Sequence, residues 1–550
     1  MILATRSLTD PRGTLVALLA VAASVVLGGG AVSGASGCSS NDGTRTQIAI
    51  PATSLYNDQG ATGPSEAVRG LVGLSLHHTS ELDSLLRDLY DPGSASFRKY
   101  LGAGDFVSQF GPTDADVAAV QGFLTTHGFK VDRTATNKML VGFSGSVDAF
   151  NKAFSTSLHT YQHTGDSRTS SLQLVYGAPG GLLLPSELTN ASASVLTADL
   201  AADDTPESPD TKTVDLTPPT TADLTNGLVP SQVAAAYGFD RLISAGGKGD
   251  GESIGVVVAY DYKEGDAQSF WQVFGLKRNS PIRKLVGDPT TTRVTETALD
   301  VQWAGMLAPN AELIVYQAPD IRDTSILFAF NEAVGLAEAT VITNSFGHRE
   351  SSVSKPVSHA YDDAARMAAA IGMTVVAATG DTGGVDAPAS CPHVTAVGGT
   401  NLSMTSDNKV ASETAWFSGG AGPSKYFAKP GFQKGVAGAT TNFRYTADLA
   451  LNGQAYYQTK ILSKWEQHGG TSFASPIFAA MVADAASYRK THGKGKLGYL
   501  NPAIYDPSQS AGVFRDITEG ASGTFVSAAG WDVATGWGAP DALALAQKIP

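Results

Sequence analysis

Two periodicities divide the chain. Between about Pro51 and Leu200, apolar residues recur at helical spacing in short blocks separated by turn residues. In "SELDSLLRDLYD", Leu82, Leu85, Leu86 and Leu89 fall on one helical face, Ser80 stands where a cap is needed, and "DPG" at 91–93 ends the run. A second helix is predicted from Thr113, with Asp116 in the capping-box position; it buries Val117, Val120 and Leu124 and stops at Gly128. "KMLVGFSG" reads as a strand, and Val147, Phe150 and Phe154 mark a third, short helix. The pattern predicts a compact α+β unit.

Beyond residue 250 the pattern changes. "SIGVVVAYD" (253–261), "AELIVY" (311–316), "TVITNSFG" (340–347), "MTVVAATGD" (373–381) and "HVTAVGGT" (393–400) are predicted as buried strands, with helical sequence at 295–307, 323–337 and 359–371 between several of them. Strands with no polar face need cover on both sides, so this half is predicted as an α/β parallel sheet with helices on both faces. Functional groups then gather at the carboxyl ends of the strands, where Asp381 leaves through a glycine-flanked turn.

The two halves are joined by residues 201–224, "AADDTPESPDTKTVDLTPPTTADL", an acidic, Pro- and Thr-rich linker of the kind proteases cut. At the front, Arg6 and Arg12 precede an apolar run from Leu15 to Leu27, short for a membrane span and suited to a secretory signal over residues 1–37. "ASGC" (35–38) resembles a bacterial lipoprotein cleavage box, with Ala35 where Leu is usual, making Cys38 a candidate lipid anchor. The only other cysteine, Cys391, is then left alone; a Cys38–Cys391 bridge is the alternative. A net charge of −13 without any basic run argues against a nucleic-acid partner, and the histidines of the first unit (His77, His78, His127, His159, His163) are too scattered for a metal site.

Candidate chemistry centres on "GGTSFASP" (469–476), where Ser472 is either a helix cap or a nucleophile. A serine hydroxyl needs a base. In "TETALDVQWAGMLAP" (295–309), Glu296 and Asp300 are one helical turn apart, beside the apolar stripe of Leu299, Trp303 and Met306, so burial and mutual repulsion set them to share a proton or to hydrogen-bond elsewhere. A solvated helix edge is the alternative. The histidines of this half (His348, His359, His393, His468, His492) lack the sequence contexts of a Ser-His-Asp site, which makes a carboxylate the better base.

"TETALDVQWAGMLAPNAELIVYQAP", "VVAATGDTGG", "ASCPHVTAVGGT", "GGTSFASP" and "FRDITEG…AAGWDVATGWG" together resemble the sedolisins, or serine-carboxyl peptidases, and within them the kumamolisin-type bacterial members. "DPGSASFRKYL", "FGPTDADVAAVQGFLTTHGFKV" and "VGFSGSVDAFNKAFSTSLHTY" resemble their activation prodomain. The resemblance implies a subtilisin-like catalytic domain over 225–550 and a ferredoxin-like prodomain over 45–200. It implies Ser472 as nucleophile, Glu296 as general base, Asp300 as the group orienting it and Asp381 as donor to the oxyanion. It also implies one structural Ca²⁺ held by Asp516, Asp532 and the carbonyls of Ile517, Ala528 and Gly530, with Ala528 standing where relatives commonly carry Gly. The expected protein is a secreted or surface-anchored monomeric acid peptidase, made as a zymogen inhibited by its own prodomain and acting on polypeptides. A Ser-His-Asp subtilase and a catalytically silent surface-binding protein are the rivals. "SFG" (345–347) and a loosely matching 418–447 depart from the family pattern.

Overall fold

The computed structural model describes residues 45–46, 56–163, 174–200, 227–287 and 294–550; the signal segment, Cys38 and the linker lie outside them. Among the described residues no helix is long and apolar enough to cross a membrane.

The first unit is built on four strands, β1 (Ala67–Leu74), β2 (Lys130–Thr134), β3 (Leu140–Ser146) and β4 (Ala193–Leu200), in the order β2-β3-β1-β4 with every neighbour antiparallel. Its helices are α1 (Thr79–Tyr90), α2 (Asp114–Thr126) and α3 (Val147–Ala153). This is the ferredoxin-like arrangement expected. The capping box at Thr113 is present: its hydroxyl accepts from the Asp116 amide and Asp116 accepts from the Thr113 amide. The Ser80 cap is not. Helix α1 begins at Thr79, and His78 precedes it with a left-handed φ of 49° and no side-chain cap, because the chain turns sharply out of β1 where the His77 amide bonds the Phe110 carbonyl.

Alternation along the strands gives the sheet two apolar faces. Val68, Val72, Val141, Phe143 and Val195 pack on Phe123 and Phe150 from the unit's own helices and on Phe129 from the turn after α2. Leu71, Leu140 and Leu196 point the other way. A two-layer α/β unit leaves that second face bare, and here a different domain covers it.

The second domain holds an eight-stranded sheet. In chain order its strands are β5 (Ser253–Ala259), β6 (Ile282–Leu285), β7 (Glu312–Ala318), β8 (Val341–Asn344), β9 (Thr374–Ala378), β10 (Thr395–Met404), β11 (Val410–Ala415) and β12 (Leu449–Asn452). The order is β6-β7-β5-β8-β9-β10-β11, with β12 also paired to β10; all pairs are parallel except β10 with β11. Helices α4 (Thr295–Leu307), α5 (Asp323–Leu336), α6 (Lys355–Ala370) and α7 (Thr471–Thr491) flank it. Helix α6 starts four residues earlier than its apolar spacing suggests, since Ser354 caps it through the Val357 amide. A hairpin of β13 (Tyr457–Ile461) and β14 (Lys464–His468) leads into α7.

One apolar cluster runs across both units, joining Leu71, Leu82, Leu86 and Leu196 of the first to Leu327, Phe328, Tyr361 and Met367 on α5 and α6. Polar contacts ring it. Arg69 pairs with Asp320 at 3.0 Å, Arg366 with Asp83 at 2.5 Å, Thr136 donates twice to Glu332, and Arg133 lies over the Phe328 ring. Asp320 is buried, yet Arg322, Arg69 and hydrogen bonds hold its carboxyl below the usual range. A depressed folded-state value means that its contribution is complete above the ordinary carboxylate range and is lost as pH falls through the lower folded value. Asp320→Asn should therefore destabilise docking of the two units at pH 7 by about 3 kcal/mol. The difference from the parent in thermal unfolding should shrink below about pH 4.

Candidate active site

Helix α7 begins where a close approach leaves no room for a side chain. Gly470 has φ 144°, and a Cβ there would lie 2.6 Å from Asp381 Oδ2. Thr471 is the first helical residue and Ser472 the second, so Ser472 is not the cap. Pro476 falls inside the helix. Lacking an N–H, it cannot bond the carbonyl four residues back, that of Ser472. That carbonyl instead faces the Ser345 hydroxyl at 3.3 Å.

The same hydroxyl donates to Asp300 Oδ1 at 2.7 Å, so Ser345, at the carboxyl end of β8, ties α4 to α7. Helix α4 is not the amphipathic edge that its spacing suggests. Nearly every side chain is buried, and the polar ones are satisfied internally: Thr297 donates to the Ala259 carbonyl, Gln302 bonds both backbone groups around Lys460, and Trp303 Nε1 donates to Gln458. Asp300 is 0 % exposed, and its Oδ2 has no hydrogen bond among the described residues. Burial, and then the charge of Glu296 one turn away, push its carboxyl well above the ordinary range, while the Ser345 bond pulls the other way. The site therefore favours the neutral form of Asp300.

Asp381 lies on the other side of Ser472. Its Oδ1 accepts from the Thr471 amide (2.7 Å) and hydroxyl (2.8 Å), and burial raises its pKa despite those bonds. A cavity of about 200 Å³ opens beside it, lined among others by Ser345, Gly380, Asp381, Asp386, Thr471 and Ser472. Desolvation pushes the pKa of Asp386 up to about 6; neither it nor Thr471 carries a sequence mark of a site role, and Ser345 is marked only as part of the divergent SFG segment. All three flank residues that were picked out, at strand ends or beside the nucleophile.

The histidines are engaged elsewhere. His468 bonds Glu466 (3.0 Å), His348 the Ile321 carbonyl (3.0 Å), His393 Asp362 (3.1 Å) and His492 the Tyr488 carbonyl (2.8 Å), while His359 packs on Phe427. Cys391 is buried and has no disulfide partner among the described residues; the alternative Cys38–Cys391 bridge involves Cys38, which lies outside them.

At the C-terminal end, the Gly530 amide donates to Asp516 and the Ala528 amide to Asp532. These bonds draw the two carboxylates against one turn. The carbonyls of Ile517, Ala528 and Gly530 accept no hydrogen bond from a described residue. Two carboxylates with spare carbonyl oxygens form a hard oxygen donor set that fits Ca²⁺.

Comparison with known proteins gives the same outline. The pro-kumamolisin activation domain matches residues 55–197 and the subtilase family residues 290–509. Kumamolisin of Bacillus sp. (strain MN-32) is 29 % identical over 82 % of this chain and 86 % of its own length. Sedolisin of Pseudomonas sp. (strain 101) is 28 % identical over 88 % and 87 %. Tripeptidyl-peptidase 1 of Bos taurus is 25 % identical over 89 % and 93 %. The solved structure of Pseudomonas sedolisin, a serine-carboxyl proteinase complexed with pseudo-iodotyrostatin, aligns with a TM-score of 0.52 at 26 % identity, covering 58 % of this chain and 97 % of that one.

Because the folded state raises the pKa of Asp300, it binds a proton that the unfolded chain releases above about pH 4, and that contribution to stability falls as pH rises. Asp300→Asn removes the titration. Relative to the parent, the variant should gain thermal stability at pH 7 compared with pH 4, measured by calorimetry at both values.

Proposed function

Since the chain belongs to the sedolisin family of serine-type peptidases, with a pro-kumamolisin-type activation domain ahead of a subtilase-like domain, we propose that it is an acid-acting endopeptidase made as a zymogen. The observation that carries this reading is the tie from Asp300 through Ser345 to Ser472, with the raised carboxyl of Asp381 beside the same serine.

In this reading Ser472 Oγ attacks the peptide carbonyl carbon while Glu296 takes its proton. Glu296 passes that proton to the departing amine as the C–N bond breaks, leaving an acyl-enzyme that water resolves by the reverse sequence. Asp300, pinned by Ser345, keeps Glu296 oriented. Asp381 donates a hydrogen bond to the oxygen that gains charge, which a carboxyl can do only while protonated. The raised pKa of Asp381 extends that state upward in pH, so activity is lost as pH rises through its folded value. A Ser-His-Asp mechanism finds no support in the engagements of the histidines, and a silent scaffold would have no need of all four of Ser472, Glu296, Asp300 and Asp381.

The prodomain acts as inhibitor until the 201–224 linker is cut in acid. After the linker, Leu228 exchanges backbone bonds with Tyr456 and Gln458 on the hairpin that leads into α7. The processed chain would thus keep its new N-terminal segment fastened. A signal segment ahead of this unit, with Cys38 as a lipid anchor, would place a monomeric enzyme outside the cell or on its surface.

Incubation of the full chain at pH 4 should release the prodomain and produce casein-degrading activity, read by gel and by peptide release. Ser472→Ala and Glu296→Gln should stay full-length and lose activity by ~10⁴-fold or more. Equal processing in Ser472→Ala would count against autoprocessing, and activity centred at neutral pH would favour the subtilase rival.

Asp516, Asp532 and the carbonyls of Ile517, Ala528 and Gly530 would hold Ca²⁺, which supplies cross-linking of the C-terminal turns and no chemistry at Ser472. Chelation should lower the thermal midpoint of the parent by several degrees, an effect absent in Asp532→Ala, for an ion that binds only the folded state.

A further inference from the structure

The loop that carries Asp381 is a weak place to put a precisely aimed group. Gly380, Gly383 and Gly384 all have positive φ (95°, 69° and 83°), a backbone with high entropy to lose. Two backbone links steady it from the 416–420 side, Gly420 to Gly380 and Gly383 to Ser418. On the opposite side stands Arg349, four residues beyond Ser345.

Arg349 Nη2 donates to both the carbonyl (2.6 Å) and the hydroxyl (2.7 Å) of Thr382, the residue after Asp381. Its guanidinium occupies the space that any side chain on Gly384 would need, with Nη1 1.8 Å from a Cβ built there. Nε lies 3.7 Å from Asp386 Oδ1, an oxygen with no hydrogen bond among the described residues. The backbone pairs as well, Arg349 with Asp386 and Glu350 with Val385, but any residue would supply those bonds. Only the arginine side chain reaches Thr382.

We propose that Arg349 is a positioning residue for the reaction: by pinning Thr382 it fixes where the Asp381 carboxyl stands relative to Ser472. This rests on the reading of Asp381 as the oxyanion donor. The groups facing Asp386 are Arg349 and His348, which favour its anion, and Asp381 and Glu350, which oppose it. Below about pH 6 Asp386 is neutral, and the hold of Arg349 on the loop then consists of the two bonds to Thr382. A planar fork suits that double contact, and an ammonium can make part of it.

The test uses the acid-activated full chain with Arg349→Ala, Arg349→Gln and Arg349→Lys, measuring kcat and KM on one peptide at pH 4. It also measures affinity for a peptide aldehyde, which adds Ser472 O–H across its carbonyl, and for the matching peptide alcohol, which cannot. Arg349→Ala should lower kcat by about 10- to 100-fold, the scale of a misplaced oxyanion donor, with KM within threefold. Aldehyde affinity should fall in parallel while alcohol affinity holds, and Arg349→Lys should recover most of the loss. Unchanged kcat, a loss confined to KM, equal losses for aldehyde and alcohol, or no recovery by Lys would each overturn the proposal. If Arg349→Ala does not fold, Arg349→Gln decides by the same criteria. A parent that neither cleaves peptide nor binds the aldehyde would instead sink the peptidase reading itself.

Discussion

Everything near Ser472 depends on keeping the carboxyl of Asp300 dry. Water at that carboxyl would favour its anion and put a second negative charge one turn from Glu296. The fold prevents this by burying α4 almost completely, at the cost of finding internal partners for Thr297, Gln302 and Trp303, and by sending one hydroxyl, Ser345, into the gap between α4 and α7. Pro476 completes the arrangement, since it leaves the Ser472 carbonyl outside the helical ladder and open to that hydroxyl. The dry Asp300, the seated serine and the fixed strand end are one construction.

Acidification acts on individual carboxyls of the structure in opposite directions. Asp300, Asp381, Asp386 and Asp484 of the catalytic domain are all raised by burial, and Asp484, on α7, has no hydrogen bond to either oxygen among the described residues. Each favours the folded domain more strongly as protons are supplied. Asp320, which faces the prodomain's Arg69, is lowered and loses its contribution in acid. One change in solution therefore strengthens those four buried sites and weakens the Asp320 contact with the prodomain.

Much of this was legible in the sequence. Continuous apolar runs located β5, β7, β8, β9 and β10, helical spacing located α2 to α5 within a few residues, and the motifs singled out Ser472, Glu296, Asp300 and Asp381. The misreadings have a common cause. Ser80 was a plausible cap until the turn out of β1 placed His78 at the helix entry, and α4 read as a striped helix because sequence does not reveal that Gln302 and Trp303 would meet the backbone of β13. Asp386, Thr471 and Arg349 matter through neighbours distant along the chain, and no local pattern marks such a residue.

The shared apolar cluster also has a place in time. The first unit packs its own helices on one face of its sheet, but Leu71, Leu140 and Leu196 meet their cover only on α5 and α6, more than a hundred residues further along. A ribosome adding ~5–20 residues per second makes that interval roughly 10–30 s. Throughout it the emerging prodomain presents a bare oily sheet, so the segment that later restrains the enzyme is, during synthesis, the part of the chain most in need of protection.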